Sequence, residues 1–365
     1  MIRVLHSVSY MHRGGVENFL MNYYRNIDKS LIQFDFLCNQ QVSGTYDAEI
    51  RELGGRIFYR PKELSEKNYT SFWKHFLITH PEIQILHTHN GAKQYYPLQG
   101  ALEAGVKVRI AHGHCSDFEH DNKYSRRRKL IEKLPTVATH CFACSEPAGR
   151  FYFGESWNSD RGILVHNAVS KTQYRCNGIT RNSMRNSLGL NNNLVIGHVG
   201  RFDPQKNHER LLHIFSAVYA IEKNARLLLV GEGTLSDTIR KLAHEMQIDE
   251  AVIFAGEQDN VSAWYQAMDI FVIPSLFEGV PLASIEAQAS GLPCVFSRAI
   301  PRDAGFGRHV SFIDLDQSNL EWANTILANK NLQKSGQIIP SDYDIAAAAI
   351  RLQDTYINLL EGLSV

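Results

Sequence analysis

Two successive runs of alternating apolar strands and amphipathic helices predict an α/β protein made of two doubly wound, parallel-sheet domains. Length agrees, since 365 residues is about two ordinary domains, with chain enough for a core in each. The alternation agrees, because strand, crossover helix and parallel strand form the repeat of such sheets. A polar, asparagine-rich interval over residues 170–193 interrupts it. The expected division is 1–170 and 171–342, with a last helix at 343–362 crossing back onto the first domain.

In order, residues 2–8 read as a strand. Gly14 and Gly15 make a turn, and 16–26 is a helix with Val16, Phe19, Leu20 and Tyr23 on one face. Strands follow at 33–38, 56–59, 84–87, 107–111, 139–145 and 162–165, with helices at 47–53, 69–79 and 91–104. A short linker helix spans 181–188. The second run places strands at 194–199, 226–230, 252–255, 270–273 and 294–296, with helices between them, one at 209–221. The last helix carries Ile345, Ala349, Leu352, Tyr356 and Leu359 at helical spacing.

Composition removes several classes of function. The 38 basic and 38 acidic residues cancel, so there is no basic field for nucleic acid. No apolar run reaches the roughly 18 to 20 residues of a membrane span, and the first ten residues read as a strand rather than a secretory signal. A cytoplasmic protein is expected. The six cysteines are scattered, and Cys141 with Cys144 lacks a second pair to complete a metal site, so they read as packed thiols.

The chemistry gathers in residues 274–290. Gly279 permits a tight turn, Pro281 suits the first position of a helix, and Leu282, Ile285 and Ala289 give that helix an apolar stripe. Glu278 then sits in the turn and Glu286 inside the helix, their carboxylates addressing points on the order of 10 Å apart. That spacing suits the two sugars of a sugar nucleotide, with helix-start N–H groups around Val280, Pro281 and Leu282 facing a phosphate between them. Two surface glutamates are the bland alternative. Arg201 and Lys206, in the polar loop after the strand at 194–199, are placed to clamp a diphosphate, and Gly200 leaves room for close approach.

Histidines mark two strand ends in the first domain. His87 and His89, then His112 and His114, each follow an apolar strand into a loop, able to bind a metal, shuttle a proton or hydrogen-bond a sugar. No glutamate or cysteine joins them at zinc spacing, so no metal is expected. Arg126, Arg127, Arg128 and Lys129 read either as a solvated helix start or as a patch for an anionic membrane or a pyrophosphate-linked acceptor. Gly231 and Gly233 end a strand, serving helix packing or a ligand turn.

Gly200-Arg201-Phe202 with Lys206-Asn207, Glu278-Gly279-x-Pro281 with Glu286, and Gly14-Gly15-Val16-Glu17 resemble three motifs of the retaining glycosyltransferases of family four, in that family's order and over nearly the whole chain. The resemblance implies the GT-B fold, two Rossmann-like domains facing a cleft, and retaining transfer from a nucleoside-diphosphate sugar, UDP on family frequency, to an acceptor hydroxyl. It gives Arg201 and Lys206 the leaving diphosphate, Glu278 the donor hydroxyls and Glu286 the ribose. Gly14 and Gly15 line the loop across from the donor, and a histidine at a strand end faces the reacting sugar, His112 by pattern and His114 next. No metal or other cofactor is implied. Residues around Met11 to Arg25 are similar to bacterial capsule and exopolysaccharide enzymes, implying a lipid-linked or oligosaccharide acceptor and peripheral contact with the membrane's inner face. Where many family members carry a glycine-rich acidic segment, residues 297–307 depart from it, which puts some diphosphate contacts in doubt. An epimerase or hydrolase of the same fold, and a non-catalytic sugar-nucleotide sensor, stay open. A dehydrogenase does not, because no G-x-G-x-x-G with a later acid follows the first strand. Asp314 and Asp316 are set aside as a metal pair because they follow the expected last strand.

Overall fold

The computed structural model describes residues 1–159, 161–332 and 339–362. The chain divides into two compact units, Met1–Ala168 joined by the segment from Ser341, and Val169–Pro340.

In unit 1 the order is β1 (Ile2–Val8), α1 (Gly15–Asn26), β2 (Ile32–Cys38), α2 (Asp47–Glu52), β3 (Ile57–Tyr59), α3 (Tyr69–Thr79), β4 (Ile83–Thr88), α4 (Tyr95–Glu103), β5 (Val108–Gly113), α5 (Tyr124–Ile131), α6 (Leu134–Val137), β6 (His140–Ala143), α7 (Glu146–Phe153) and β7 (Gly162–Leu164). The sheet runs β3-β2-β1-β4-β5-β6-β7, every pairing parallel. Chain order reverses between β1 and β4, and such a switch point opens a crevice beyond the carboxyl ends of the strands.

Unit 2 begins with α8 (Lys171–Tyr174) and α9 (Gly178–Ser187). It continues β8 (Leu194–Val199), α10 (His208–Ile221), β9 (Ala225–Val230), α11 (Ser236–Glu245), β10 (Val252–Gly256), α12 (Val261–Ala267), β11 (Ile270–Ile273), α13 (Leu282–Ala289), β12 (Cys294–Ser297), β13 (Val310–Ile313) and α14 (Asn319–Ala328). Its sheet, β10-β9-β8-β11-β12-β13, is again parallel throughout and switches between β8 and β11. The loops leaving those two strands are the ones that carry Arg201 and Glu278. A β13 strand was not expected from the sequence. Its pattern is half-buried, so no continuous apolar run announced it.

The final helix, α15 (Ile345–Glu361), belongs to unit 1. Its buried stripe of Ile345, Ala349, Leu352, Tyr356 and Leu359 joins the core formed by β1, β2 and α1. Among the described residues no helix is long and apolar enough to cross a membrane. Leu352 is 3% exposed in that core. Leu352→Ala is expected to lower stability by about 2–5 kcal/mol, read as the shift in a urea unfolding midpoint.

Candidate functional site

The switch point of unit 2 brings the two predicted loops together through side chains and backbone. Asp203 caps the turn Pro204–Lys206, and Asn207 follows in the left-handed region at φ 57°. From that turn, Gln205 O accepts from Leu276 N at 2.9 Å and Gln205 Nε2 donates to Phe277 O at 2.8 Å. Asn207 Nδ2 donates to Pro274 O at 3.1 Å. Glu278 stands where the loops meet. Lys206 Nζ approaches its Oε1 at 2.6 Å, and Gln205 Nε2 donates to its Oε2 at 3.1 Å. Glu278 is 5% exposed, which removes the surface-glutamate alternative. The cation beside it offsets the cost of enclosing the carboxylate.

Arg201 is exposed, its Nε donating to Asp203 Oδ2 at 2.9 Å. The next residue, Phe202, turns inward and stacks on His208 with ring centroids 4.0 Å apart. Gly200 is small for a reason: a Cβ there would lie 2.8 Å from His198 Nε2. Gly231, at φ 133°, and Gly233 press on the same loop, where added Cβ atoms would meet Gly200 O at 2.2 Å and Phe202 O at 2.4 Å. These two glycines therefore seat the Arg201 loop rather than a helix, a structural role other than the helix packing expected of them.

Glu286 lies one turn into α13, also 5% exposed. Tyr174 Oη donates to its Oε1 at 2.7 Å and Tyr265 Oη to its Oε2 at 2.8 Å. Burial raises its pKa above the ordinary carboxylate value, and the two tyrosine bonds only partly oppose that. Pro281 is the cap residue of α13 rather than its first helical position, with ψ 128°, one place earlier than expected. A proline cap brings no side-chain acceptor to the helix-start amides. Gly279, Val280, Pro281 and Leu282 are buried around that start.

In unit 1, Gly14 is the cap residue of α1 and Gly15 its first residue, exposed and with open space where a Cβ would be. The histidines are placed otherwise than expected. His87 and His112 lie inside β4 and β5, not in loops, and both are fully enclosed. His6 of β1, beside His87 in register, joins them. His87 Nε2 and His112 Nδ1 are 3.1 Å apart, His6 Nδ1 and His89 Nε2 3.0 Å, and His89 Nδ1 and His114 Nε2 2.9 Å. Burial lowers the pKa of His6, His87, His89 and His112, so these imidazoles are neutral. With no exposed surface, His112 cannot touch a sugar as placed. His114, beyond the strand and partly exposed, has the access.

The architecture and both loops have counterparts among known proteins. A family model described as "Glycosyl transferases group 1" matches residues 193–326, which hold Arg201, Lys206, Glu278 and Glu286. The chain is 36% identical over 336 residues to a Bacillus subtilis protein named as the glycosyltransferase EpsF, covering 89% of this chain and 86% of that one. The chain belongs to the group 1 glycosyltransferases. An Escherichia coli relative, UDP-Gal:alpha-D-GlcNAc-diphosphoundecaprenol alpha-1,3-galactosyltransferase, is 38% identical over 311 residues, covering 81% of this chain and 79% of that one. Anabaena HepE, crystallised with UDP, superposes with a TM-score of 0.80 at 16% identity over 98% of this chain and 100% of its own. The fold of this glycosyltransferase is accordingly GT-B.

In this glycosyltransferase Lys206 and Glu278 of the unit 2 motifs meet, whereas the basic run of unit 1 is largely committed to its own neighbours. Arg126 pairs with Glu66, and Arg127 reaches Asp121 at 2.7 Å. Arg128 donates to Phe151 O at 3.0 Å and lies over that ring. Lys129, the last of the four, is exposed on α5. That favours a solvated helix face over a membrane patch. Gln205 was passed over inside the Arg201–Lys206 loop itself, and Tyr174 and Tyr265 were missed because aromatic residues 112 and 21 positions from Glu286 carry no spacing signal.

The raised carboxyl of Glu286 sets a pH dependence. A carboxyl whose folded-state pKa exceeds its unfolded value favours the folded state below the unfolded titration, and that contribution is lost as pH rises through the folded value. Glu286→Gln removes the titration and keeps a partner for each tyrosine. Its thermal midpoint is expected to match or exceed that of the unsubstituted enzyme at mildly alkaline pH, with a flatter pH profile. A variant melting lower than the parent at that pH would contradict the assignment.

Proposed function

We propose that this glycosyltransferase moves a sugar from a nucleoside-diphosphate sugar, a UDP-sugar, to an acceptor hydroxyl in the assembly of a capsule, exopolysaccharide or O-antigen type polysaccharide. The acceptor is lipid-linked or an oligosaccharide, and the anomeric configuration is retained. One observation carries the donor reading. Two buried carboxylates flank the start of α13, and the cations Lys206 and Arg201 stand in the adjoining loop. A site with that order of charges matches sugar hydroxyls, diphosphate and ribose in sequence. Support for the uridine base and the acceptor class comes from the galactosyltransferase relative, whose name specifies both, and from HepE crystallised with UDP-glucose.

As the donor breaks, the diphosphate gains negative charge while the sugar becomes cationic. Arg201 and Lys206, with the amides at the start of α13, stabilise the leaving group, so the transfer step calls for no metal. Glu278, held by Lys206 and Gln205, accepts hydrogen bonds from donor hydroxyls, and Glu286 binds the ribose once a tyrosine gives way. Gly14 and Gly15, at the start of α1 in unit 1, are read as donor-binding residues as well. We favour attack from the face the diphosphate leaves, the departing phosphate taking the acceptor proton, over double displacement.

Stabilisation by nucleoside diphosphates and their sugars tests the donor. At a hundred times its dissociation constant a ligand adds about 2.7 kcal/mol, a clear rise in melting temperature. Uridine diphosphate is expected to give that rise and the guanosine and adenosine compounds not to; no response to any of them refutes the site. Lys206→Ala is expected to lower kcat for transfer or slow donor hydrolysis by about 100- to 1,000-fold. Adding magnesium or manganese is expected to leave the rate unchanged, and proton NMR of the product should show the donor's anomeric configuration.

A further inference from the structure

We propose that His89, His112 and His114 hold one divalent transition-metal ion of the zinc class, in a site formed by unit 1 alone. The three side chains each offer a ring nitrogen, and these nitrogens lie within 4.8 Å of one another. Three imidazoles around zinc at about 2.0–2.1 Å place their nitrogens about 3.3 Å apart. His89 Nδ1 and His114 Nε2, at 2.9 Å, are already close to that spacing.

The remaining nitrogens decide the assignment. Histidines that bind a metal pass their other ring N–H to a neighbouring acceptor, which fixes ring and tautomer. Here His89 Nε2 meets His6 Nδ1 at 3.0 Å, and His112 Nδ1 meets His87 Nε2 at 3.1 Å. His87 Nδ1 in turn meets Tyr356 Oη at 2.7 Å. His6, His87 and Tyr356 thus form an outer layer around two of the ligands. That layer leaves two ring nitrogens buried and without a hydrogen-bond partner: His6 Nε2 at its outer end, and His112 Nε2, the nitrogen left to ligate an ion. An imidazole ladder with no ion would strand that nitrogen at a cost of about 1–3 kcal/mol. An ion removes the cost.

A second set of nitrogens, on His6, His87 and His89, is equally close, but both nitrogens of His87 are already committed and none of the three residues is exposed. His114 is partly exposed, which gives an ion a way in and leaves a fourth position for water or an anion. Around a tetrahedral ion, imidazole centroids stand about 5 Å apart. His89 to His114 is 5.1 Å and His89 to His112 is 5.4 Å. His112 and His114, stacked at 4.0 Å, must part by about 1 Å. Three neutral nitrogen ligands with no carboxylate select zinc, nickel or copper over magnesium, calcium or manganese. In the sequence, ligand type argued against a metal at these histidines, and the outer layer that favours one draws on His6 of β1, 83 residues before His89.

The test uses the full-length chain without a histidine tag. Metal analysis after purification, and titration of chelator-stripped protein with cobalt(II), are expected to give one ion per chain and the visible bands of tetrahedral cobalt. His114→Gln should weaken binding at least tenfold while leaving the circular dichroism spectrum unchanged. Absence of stoichiometric binding by the parent protein at micromolar cobalt and zinc overturns the proposal whatever the variant does. Equal affinity in a folded His114→Gln also overturns it. Because bound metal is the readout, neither result bears on donor binding.

Discussion

The ion pair between Lys206 and Glu278 is the contact on which unit 2's site depends. It joins the loop after β8 to the loop after β11, the two strands on either side of the switch point, with 2.6 Å between charged atoms. Lys206→Ala would take from a carboxylate with almost no access to water the cation at 2.6 Å, and removing one partner of such a buried pair costs about 3–5 kcal/mol. Without Glu278 the lysine would lose its fixed position over the turn. The pair thereby fixes the positions of both charges at the switch point.

Unit 1 also pairs a buried carboxylate with arginines, Asp35 with Arg3 and Arg56, but at the sheet switches the two units enclose different groups. Unit 2 neutralises by pairing: Glu278 with Lys206, and Asp269 with Arg181 and Arg185. Around its sheet switch, unit 1 instead buries imidazoles that stay neutral and bond to one another. Paired charges give a site a field, whereas neutral imidazoles give it directional lone pairs. The chemistry proposed for each follows from that contrast, anion binding in one and cation binding in the other.

Much of the fold was legible because parallel strands buried on both faces read as apolar runs, and most strand limits fall within two residues of the pattern. The ends of β4 and β5 were not, since histidine counts as polar in any periodicity, and only mutual hydrogen bonding lets it continue a buried strand. The motif residues of unit 2 were legible as neighbours in two loops. Their partners were not: Tyr174 lies 112 residues before Glu286, and no spacing rule links them. The basic run at Arg126 reads as one patch in the sequence, yet each arginine turns to a different neighbour, because a helix disperses consecutive side chains around its axis.

Tyr174 has a practical meaning for dissecting the protein. It ends α8, a single turn just past Val169 and well before the first strand of unit 2, and would look like dispensable linker in any attempt to produce that unit by itself. A fragment begun at β8 would keep both sheet and loops yet leave Glu286 with one tyrosine instead of two. Such a fragment would fold around an altered carboxylate, and its nucleotide affinity would misrepresent the parent enzyme. The working boundary of the unit is set by a hydroxyl group, upstream of where the sheet begins.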